Sequence, residues 1–249
     1  MPELPEVETI RRGLNKFILN KKVSSVKILC DKSFIGPKEV ILGQKIINIR
    51  RFGKALIFDF ENGVSMMVHL RMTGQLIFRA SGEESGRNYL EMIEAGDFKT
   101  TLYTEKSFAG GHPNESFYSE LPNKQTRVLF EIYEENGAGS GASQAIGTLY
   151  FNDQRKFGFC KVIETSEVEA DSFIKKLAKE PWVMSVEEFK KNLMRHKNAE
   201  IKPTILDQSV MAGLGNIYAD EALYMTKIHP ERLTSSLSDT EIAELLEAA

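Results

Sequence analysis

The chain has 249 residues, of which 42% are hydrophobic, and a formal net charge of −3. That length supports one large domain or two ordinary ones with real cores. No run of about 18 apolar residues occurs, and no charged start is followed by an apolar stretch, which argues against a membrane span or a signal peptide and points to a cytoplasmic protein. Two distant cysteines, Cys30 and Cys160, fit reduced, packed thiols and are too few for a four-cysteine zinc site. Negative charge disfavours a phosphate-backbone partner. Yet residues 81–145 carry eleven Asp/Glu and five Lys/Arg, a net of −6 that leaves +3 elsewhere. Clusters such as Arg11/Arg12, Lys21/Lys22, Arg50/Arg51/Lys54 and Arg155/Lys156 remain able to line a groove.

Leu4, Val7, Ile10, Leu14 and Phe17 recur at three- and four-residue spacing and predict an amino-terminal helix. Short β-branched segments at 23–29, 44–50, 55–60 and 65–70 predict strands, with Asn62-Gly63 as a hairpin signal. A second pair is expected at 127–133 and 148–152, joined by a Gly/Ser/Ala-rich loop at 137–147. Residues 80–126 fit no regular pattern and read as a partly ordered insertion. Such strands predict an antiparallel sandwich or barrel. Helical periodicity takes over from about Asp171, with Ser185/Glu188 and Ser238/Glu241 matching the capping-box pattern. The expected organisation is α+β and multidomain: an N-terminal helix plus antiparallel β-sandwich over 1–170, a linker over 171–184 and a helical domain over 185–249.

Several residues carry candidate chemistry. Removal of Met1 leaves Pro2 with a free secondary amine, which at a reference pKa of roughly 7.7–8.0 is partly unprotonated at neutral pH and attacks electrophilic carbon. The structural alternative is that proline suits a first helical turn, while Glu3, Glu6 and Glu8 only complement the helix dipole. Lys54 precedes an apolar strand, where a lysine is commonly a solvated strand end. Met72 lies in a turn after an apolar strand, and Asp153-Gln154-Arg155-Lys156-Phe157-Gly158 places an arginine and an aromatic ring two residues apart. An apolar wedge, a stacking ring and an arginine suit an enzyme that extrudes a base, although Met72 could equally fill a core. Gly213-Leu214-Gly215-Asn216 leads into a helical segment and offers backbone N–H groups to a phosphate, a weak signal by itself.

The string PELPEVETIRRGL, the Arg155/Phe157 motif and the Ile201-Lys202-Pro203 to Leu223 segment occur in one order, and together they resemble the formamidopyrimidine-DNA glycosylase family. The resemblance covers residues 1–78 and 127–247 and lapses in the insertion. It implies a bifunctional DNA glycosylase and lyase of base excision repair, acting as a monomer on damaged double-stranded DNA. It also implies a helix-two-turns-helix DNA-binding domain. Pro2 is then the nucleophile and Glu3 a general acid toward the sugar ring oxygen. Glu6 orients Pro2 and a water, or merely complements the helix dipole. Lys54 contacts the phosphate beside the damaged nucleotide. Met72, Arg155 and Phe157 fill the space of the extruded base, Lys156 stands where a second arginine is usual, and Lys202 and Asn216 contact the DNA backbone. Leu4 favours the oxidised-purine branch, with formamidopyrimidine and 8-oxoguanine as substrates.

Two departures accompany the resemblance. The family continues into a four-cysteine zinc finger, whereas this sequence ends at Ala249, so no metal and no cofactor are expected. The linker reads Leu177-Ala178-Lys179-Glu180-Pro181, in place of the more usual Leu-Gly-Pro-Glu/Asp. The rival expectation is a damaged-DNA-binding module with little or no turnover.

Overall fold

The computed structural model describes residues 2–82, 101–135 and 143–249. The chain divides into two compact units, Met1–Val168 and Glu169–Ala249. In the first, α1 (Leu4–Ile18) precedes β1 (Lys22–Ile28), β2 (Phe34–Ile35), β3 (Ile46–Phe52), β4 (Ala55–Phe60), β5 (Val64–His69) and β6 (Gly74–Ala80). Then come β7 (Thr101–Tyr103), β8 (Ser107–Gly111), β9 (Thr126–Glu135), β10 (Ser143–Asp153) and β11 (Phe159–Glu164). They form a six-stranded sheet, ordered β1-β9-β10-β6-β8-β7, and a five-stranded sheet, ordered β2-β11-β5-β4-β3. The pairing is antiparallel except between β2 and β11, which run parallel. Side chains of both sheets, including Phe58, Val68, Phe78, Phe130 and Phe151, share one buried core, as a sandwich requires.

Val7, Ile10, Leu14 and Ile18 of α1 are fully buried, so the apolar stripe does face the core. Phe17 is only half-buried, its ring 5.3 Å from that of Phe78. On the opposite flank Glu8 bridges Arg11, Arg12 and Arg51. The hydrogen bond from Arg11 leads the effects that hold this carboxyl at about pKa 2. Asn62-Gly63 closes the β4–β5 hairpin, with Gly63 at a φ of 82°. Asp59, 5% exposed, is held by both nitrogens of a bidentate Arg50 at 2.7 and 2.9 Å and by the Ser65 hydroxyl, which offsets the burial of a carboxylate.

The structure corrects the sequence reading of the first unit in several places. The described part of the segment read as an insertion, 101–126, is not simply appended: β8 pairs with both β6 and β7, and Phe108 and Ala109 are fully buried; residues 83–100 fall outside the described residues. The glycines of β8 look like turn signals, but packing demands them. A Cβ on Gly110 would lie 2.6 Å from Ile10 Cγ1, and one on Gly111 would lie 2.4 Å from the Gly74 carbonyl oxygen. The loop expected over 137–147 gives way to β10 from Ser143 onward; its portion at 137–142 falls outside the described residues. The strand expected at 44–50 runs two residues later, and β2, β6 and β11 lie outside the expected strands.

The second unit is helical: α2 (Val186–Met194), α3 (Ile201–Leu206), α4 (Asn216–Met225) and α5 (Asp239–Ala248) surround a core that includes Phe189, Leu193, Ile205, Met211 and Ile242. Both expected capping boxes form. Ser185 accepts from the Glu188 N–H and Ser238 from the Glu241 N–H, while each glutamate accepts from the backbone N–H of its serine. The segment read as a linker belongs to this unit, and Met184 joins its core.

Candidate functional site

Pro2 and Glu3 are buried at the start of α1, Glu3 being only 1% exposed. Glu3 and Glu6 form a capping box: the Glu3 N–H donates to Glu6 Oε2 at 2.8 Å, and the Glu3 carboxylate accepts the Glu6 N–H. Helix termini leave such N–H groups without intrahelical partners, so the same bonds that start the helix fix both carboxylates beside Pro2. Lys54, 8% exposed in the β3–β4 turn, faces the same end. Burial holds its ammonium below the usual lysine value, against the opposing charges of Glu3 and Glu6. The structure therefore brings Pro2, Glu3, Glu6 and Lys54 together at one end of the first unit.

His69, at the end of β5, was not singled out by its sequence context. It is 6% exposed, and burial, reinforced by Arg71 and Lys54, pushes its pKa down to about 3. The ring is neutral at pH 7, and Nδ1 accepts the Arg71 N–H at 3.1 Å. The signal available was its place opposite Ala55, the residue after Lys54.

Two loops carry the next group. The chain passes from the five-stranded sheet to the six-stranded one through 70–73, and back through 154–158. Asp153, fully buried, ties them together. One carboxylate oxygen accepts the Thr73 hydroxyl and the Arg155 N–H, the latter at 3.1 Å; the other accepts the Gly158 N–H at 2.7 Å. Thr73 Oγ1 in turn accepts from the Arg155 N–H at 3.0 Å, and Arg127 Nε donates to the Asp153 carbonyl at 2.7 Å. From this rigid base Met72 is 38% and Phe157 60% exposed. The Arg155 guanidinium lies 5.8 Å from the centre of the Phe157 ring, and Lys156 stands exposed at a φ of 60°. Large apolar side chains held out by a built scaffold mark a binding surface better than single exposed ones do. Asp153 is the positioning residue that the motif concealed.

In the second unit, Gln208 clamps the turn before α4. Its Oε1 accepts the Gly213 N–H at 2.9 Å, and its Nε2 donates to the Leu206 and Leu214 carbonyls, each at 3.0 Å. Gly213 has a φ of 95°, a left-handed conformation that favours glycine. Gly215 caps α4 and leaves Asn216 exposed at its first position. Lys202 is paired with Asp220 at 2.7 Å, so a phosphate must compete with that carboxylate. The arrangement suits backbone N–H groups and an amide to an anion.

A four-cysteine metal site does not fit these residues. Cys160 is fully buried, which pushes its thiol pKa up, and Cys30 is the only other cysteine.

A buried, carboxylate-flanked Pro2 at the start of the first unit and a glycine-built helical turn in the second are features that suit the class of nucleic-acid-processing proteins. Residues 1–160 match the formamidopyrimidine-DNA glycosylase N-terminal domain, and residues 177–249 match the H2TH domain of the same proteins. The chain belongs to the formamidopyrimidine-DNA glycosylase family. The first match spans 80–126, where the motifs lapse. The formamidopyrimidine-DNA glycosylase of Ligilactobacillus salivarius is 36% identical over 98% of this chain and 73% of its own length. That of Pelotomaculum thermopropionicum is 35% identical over 100% and 75%. The Lactococcus lactis enzyme bound to DNA containing an AP site superposes with a TM-score of 0.74 at 28% identity, covering 99% of this chain and 78% of that one. MutM in complex with DNA containing carbocyclic 8-oxo-G gives 0.74 and 28%, over 99% and 76%.

Proposed function

We propose that this protein is a DNA glycosylase and lyase of base excision repair, acting as a cytoplasmic monomer on double-stranded DNA that contains oxidised purines. The observation that carries the reading is the gathering of Glu3, Glu6 and Lys54 around the start of α1 beside Pro2. With Met1 removed, the Pro2 nitrogen attacks the anomeric carbon of an extruded nucleotide and the base departs with the bonding electrons. Glu3 donates a proton to the sugar ring oxygen, the ring opens, and an imine joins protein to sugar. The imine acidifies the neighbouring sugar proton, so elimination breaks the strand. Glu6, held by the Glu3 N–H, keeps the terminus in register. Lys54, a desolvated cation, favours a phosphate that restores charge balance around it.

Met72 and the Phe157 ring are suited to occupy the vacated space, with Arg155 on the orphaned partner base. Lys156 offers a point charge where a bidentate arginine is usual. Lys202, Asn216 and the α4 N-terminus hold the DNA backbone. Imine chemistry of this kind draws on an amine and carboxylates alone. The test is strand cleavage of a duplex bearing one 8-oxoguanine. Wild-type protein is expected to cut at the lesion, and Pro2→Gly to bind the duplex without cutting. Cleavage by Pro2→Gly at the wild-type rate would remove Pro2 from the mechanism.

A further inference from the structure

The β3–β4 hairpin that carries Lys54 is tied to α1 by one side chain. Phe52 pairs with Ala55 across the ladder, so Gly53 and Lys54 form a two-residue loop. Gly53 has a φ of 53°, the positive value that tight hairpin turns require at their first central position. Its carbonyl belongs to the peptide group that leads into Lys54 and stands outside the strand ladder. Arg51 Nη1 donates to that carbonyl at 3.0 Å. Arg51 Nε donates to Glu8 Oε2 at 3.1 Å, so one guanidinium, on a side chain only 10% exposed, joins the turn to the helix. The planar fork makes the two bonds with separate nitrogens at fixed angles, which an ammonium does not reproduce.

The helix end of the link is equally well held. Arg11 donates to both Glu8 oxygens, at 2.9 and 2.7 Å, and Arg12 Nε donates to Oε1 at 2.8 Å. With the hydrogen bond from Arg11 foremost, these contacts keep the carboxylate ionised at neutral pH. Glu8 lies five residues after Glu3, about 7.5 Å along the helix axis. The link from Glu8 through Arg51 to Gly53 therefore sets where Lys54 stands relative to Glu3 and Glu6, whose charges act on its buried ammonium. Without that hold, a flexible stem and the attraction of two carboxylates would let the ammonium settle on Glu3 and leave a phosphate unmet.

We infer that Arg51 is a positioning residue for Lys54, holding the Gly53–Lys54 turn against α1 through Glu8 so that the ammonium meets the phosphate beside the extruded nucleotide. The inference rests on Lys54 having that role, and Arg51 acts through Lys54 with no contact of its own to DNA.

The experiment is a double-mutant cycle read as affinity for a duplex bearing one uncleavable tetrahydrofuran abasic site, at a single salt concentration. Its corners are wild type, Arg51→Gln, Lys54→Ala and the double variant. Each single change is expected to weaken binding about fivefold or more, as the loss of a phosphate contact does. Once Lys54 is alanine, Arg51→Gln should weaken binding by less than about twofold. A merely structural residue, or one that touched DNA itself, would add its loss to that of Lys54. Equal fold losses in the two backgrounds, or wild-type binding by Arg51→Gln with Lys54 intact, overturn the assignment while Lys54 stands. Wild-type binding by Lys54→Ala overturns the Lys54 reading and the Arg51 inference together. Arg51→Lys keeps a charge beside Glu8 but loses the fork; if Arg51→Gln does not fold, the same cycle with Arg51→Lys decides by the same outcomes.

Discussion

Asp153→Asn tests whether one buried carboxylate organises both loops. The replacement keeps size and shape but presents an NH2 to at least one donor that the carboxylate now accepts. With the amide oxygen facing Thr73 and Arg155, the Gly158 N–H at 2.7 Å loses its acceptor; with the amide reversed, the Thr73 hydroxyl loses its acceptor and the Arg155 N–H keeps only Thr73 Oγ1. A hydrogen bond to a charged group contributes about 1.5–3 kcal/mol, and an orphaned buried donor adds its desolvation penalty. The better of the two orientations therefore costs about 2–3 kcal/mol. For a unit of this size that lowers Tm by roughly 5–10 °C. Denaturant unfolding supplies ΔΔG, and single-turnover excision supplies the functional arm, in which excision falls further than duplex affinity because Met72, Arg155 and Phe157 lose their common base. Thr73→Val removes the shared hydroxyl, and the double variant should be markedly less than additive. An Asp153→Asn protein within about 0.5 kcal/mol of wild type, with normal excision, would refute the argument.

Other expectations follow from single contacts. Gly13→Ala should gain about 1 kcal/mol on helix propensity alone, but its Cβ would lie 2.2 Å from the buried Phe108 ring. A net loss of about 1–2 kcal/mol is expected in denaturant unfolding, relieved by Phe108→Leu. Glu8 has a folded pKa of about 2, depressed from an unfolded value of about 4.3. Its contribution to stability is fully present above the unfolded pKa and is lost as pH falls toward 2. The stability gap between wild type and Glu8→Gln should accordingly shrink across that window in unfolding curves, and a gap independent of pH would contradict the Glu8 assignment. Lys202→Ala should weaken duplex binding about equally for damaged and undamaged DNA and reduce the salt slope by about one; an unchanged slope in a titration at several salt concentrations would remove it from the phosphate contacts. Phe157→Ala, at an exposed site, should leave Tm within about 1 °C while excision falls at least tenfold.

The helix start, the Asn62-Gly63 hairpin and both serine capping boxes were legible because each depends on residues within four positions of one another. What escaped depends on distant partners. Ser107–Gly111 looks like a turn until Ile10 and the Gly74 carbonyl are seen to forbid a Cβ at its two glycines. Asp153 sits inside a motif noticed for its arginine and ring, and its importance rests on Thr73, 80 residues away in sequence. Lys202 reads as a free cation in sequence, whereas Asp220 on the next helix holds it. Local pattern thus disclosed the elements, and tertiary approach decided which side chains they deliver to one place.

The central claim is that the Pro2 nitrogen becomes bonded to a sugar carbon, and Lys54 is the amine nearest in chemistry that could take its place. Peptide mapping of the borohydride-reduced adduct separates the two directly. Trypsin releases the opening of the processed chain as Pro-Glu-Leu-Pro-Glu-Val-Glu-Thr-Ile-Arg, residues 2–11. The account predicts that this peptide carries the nucleotide mass at its amino terminus and that Met1 is gone. The same mass on the peptide containing Lys54, or an adduct on protein that retains Met1, would contradict it.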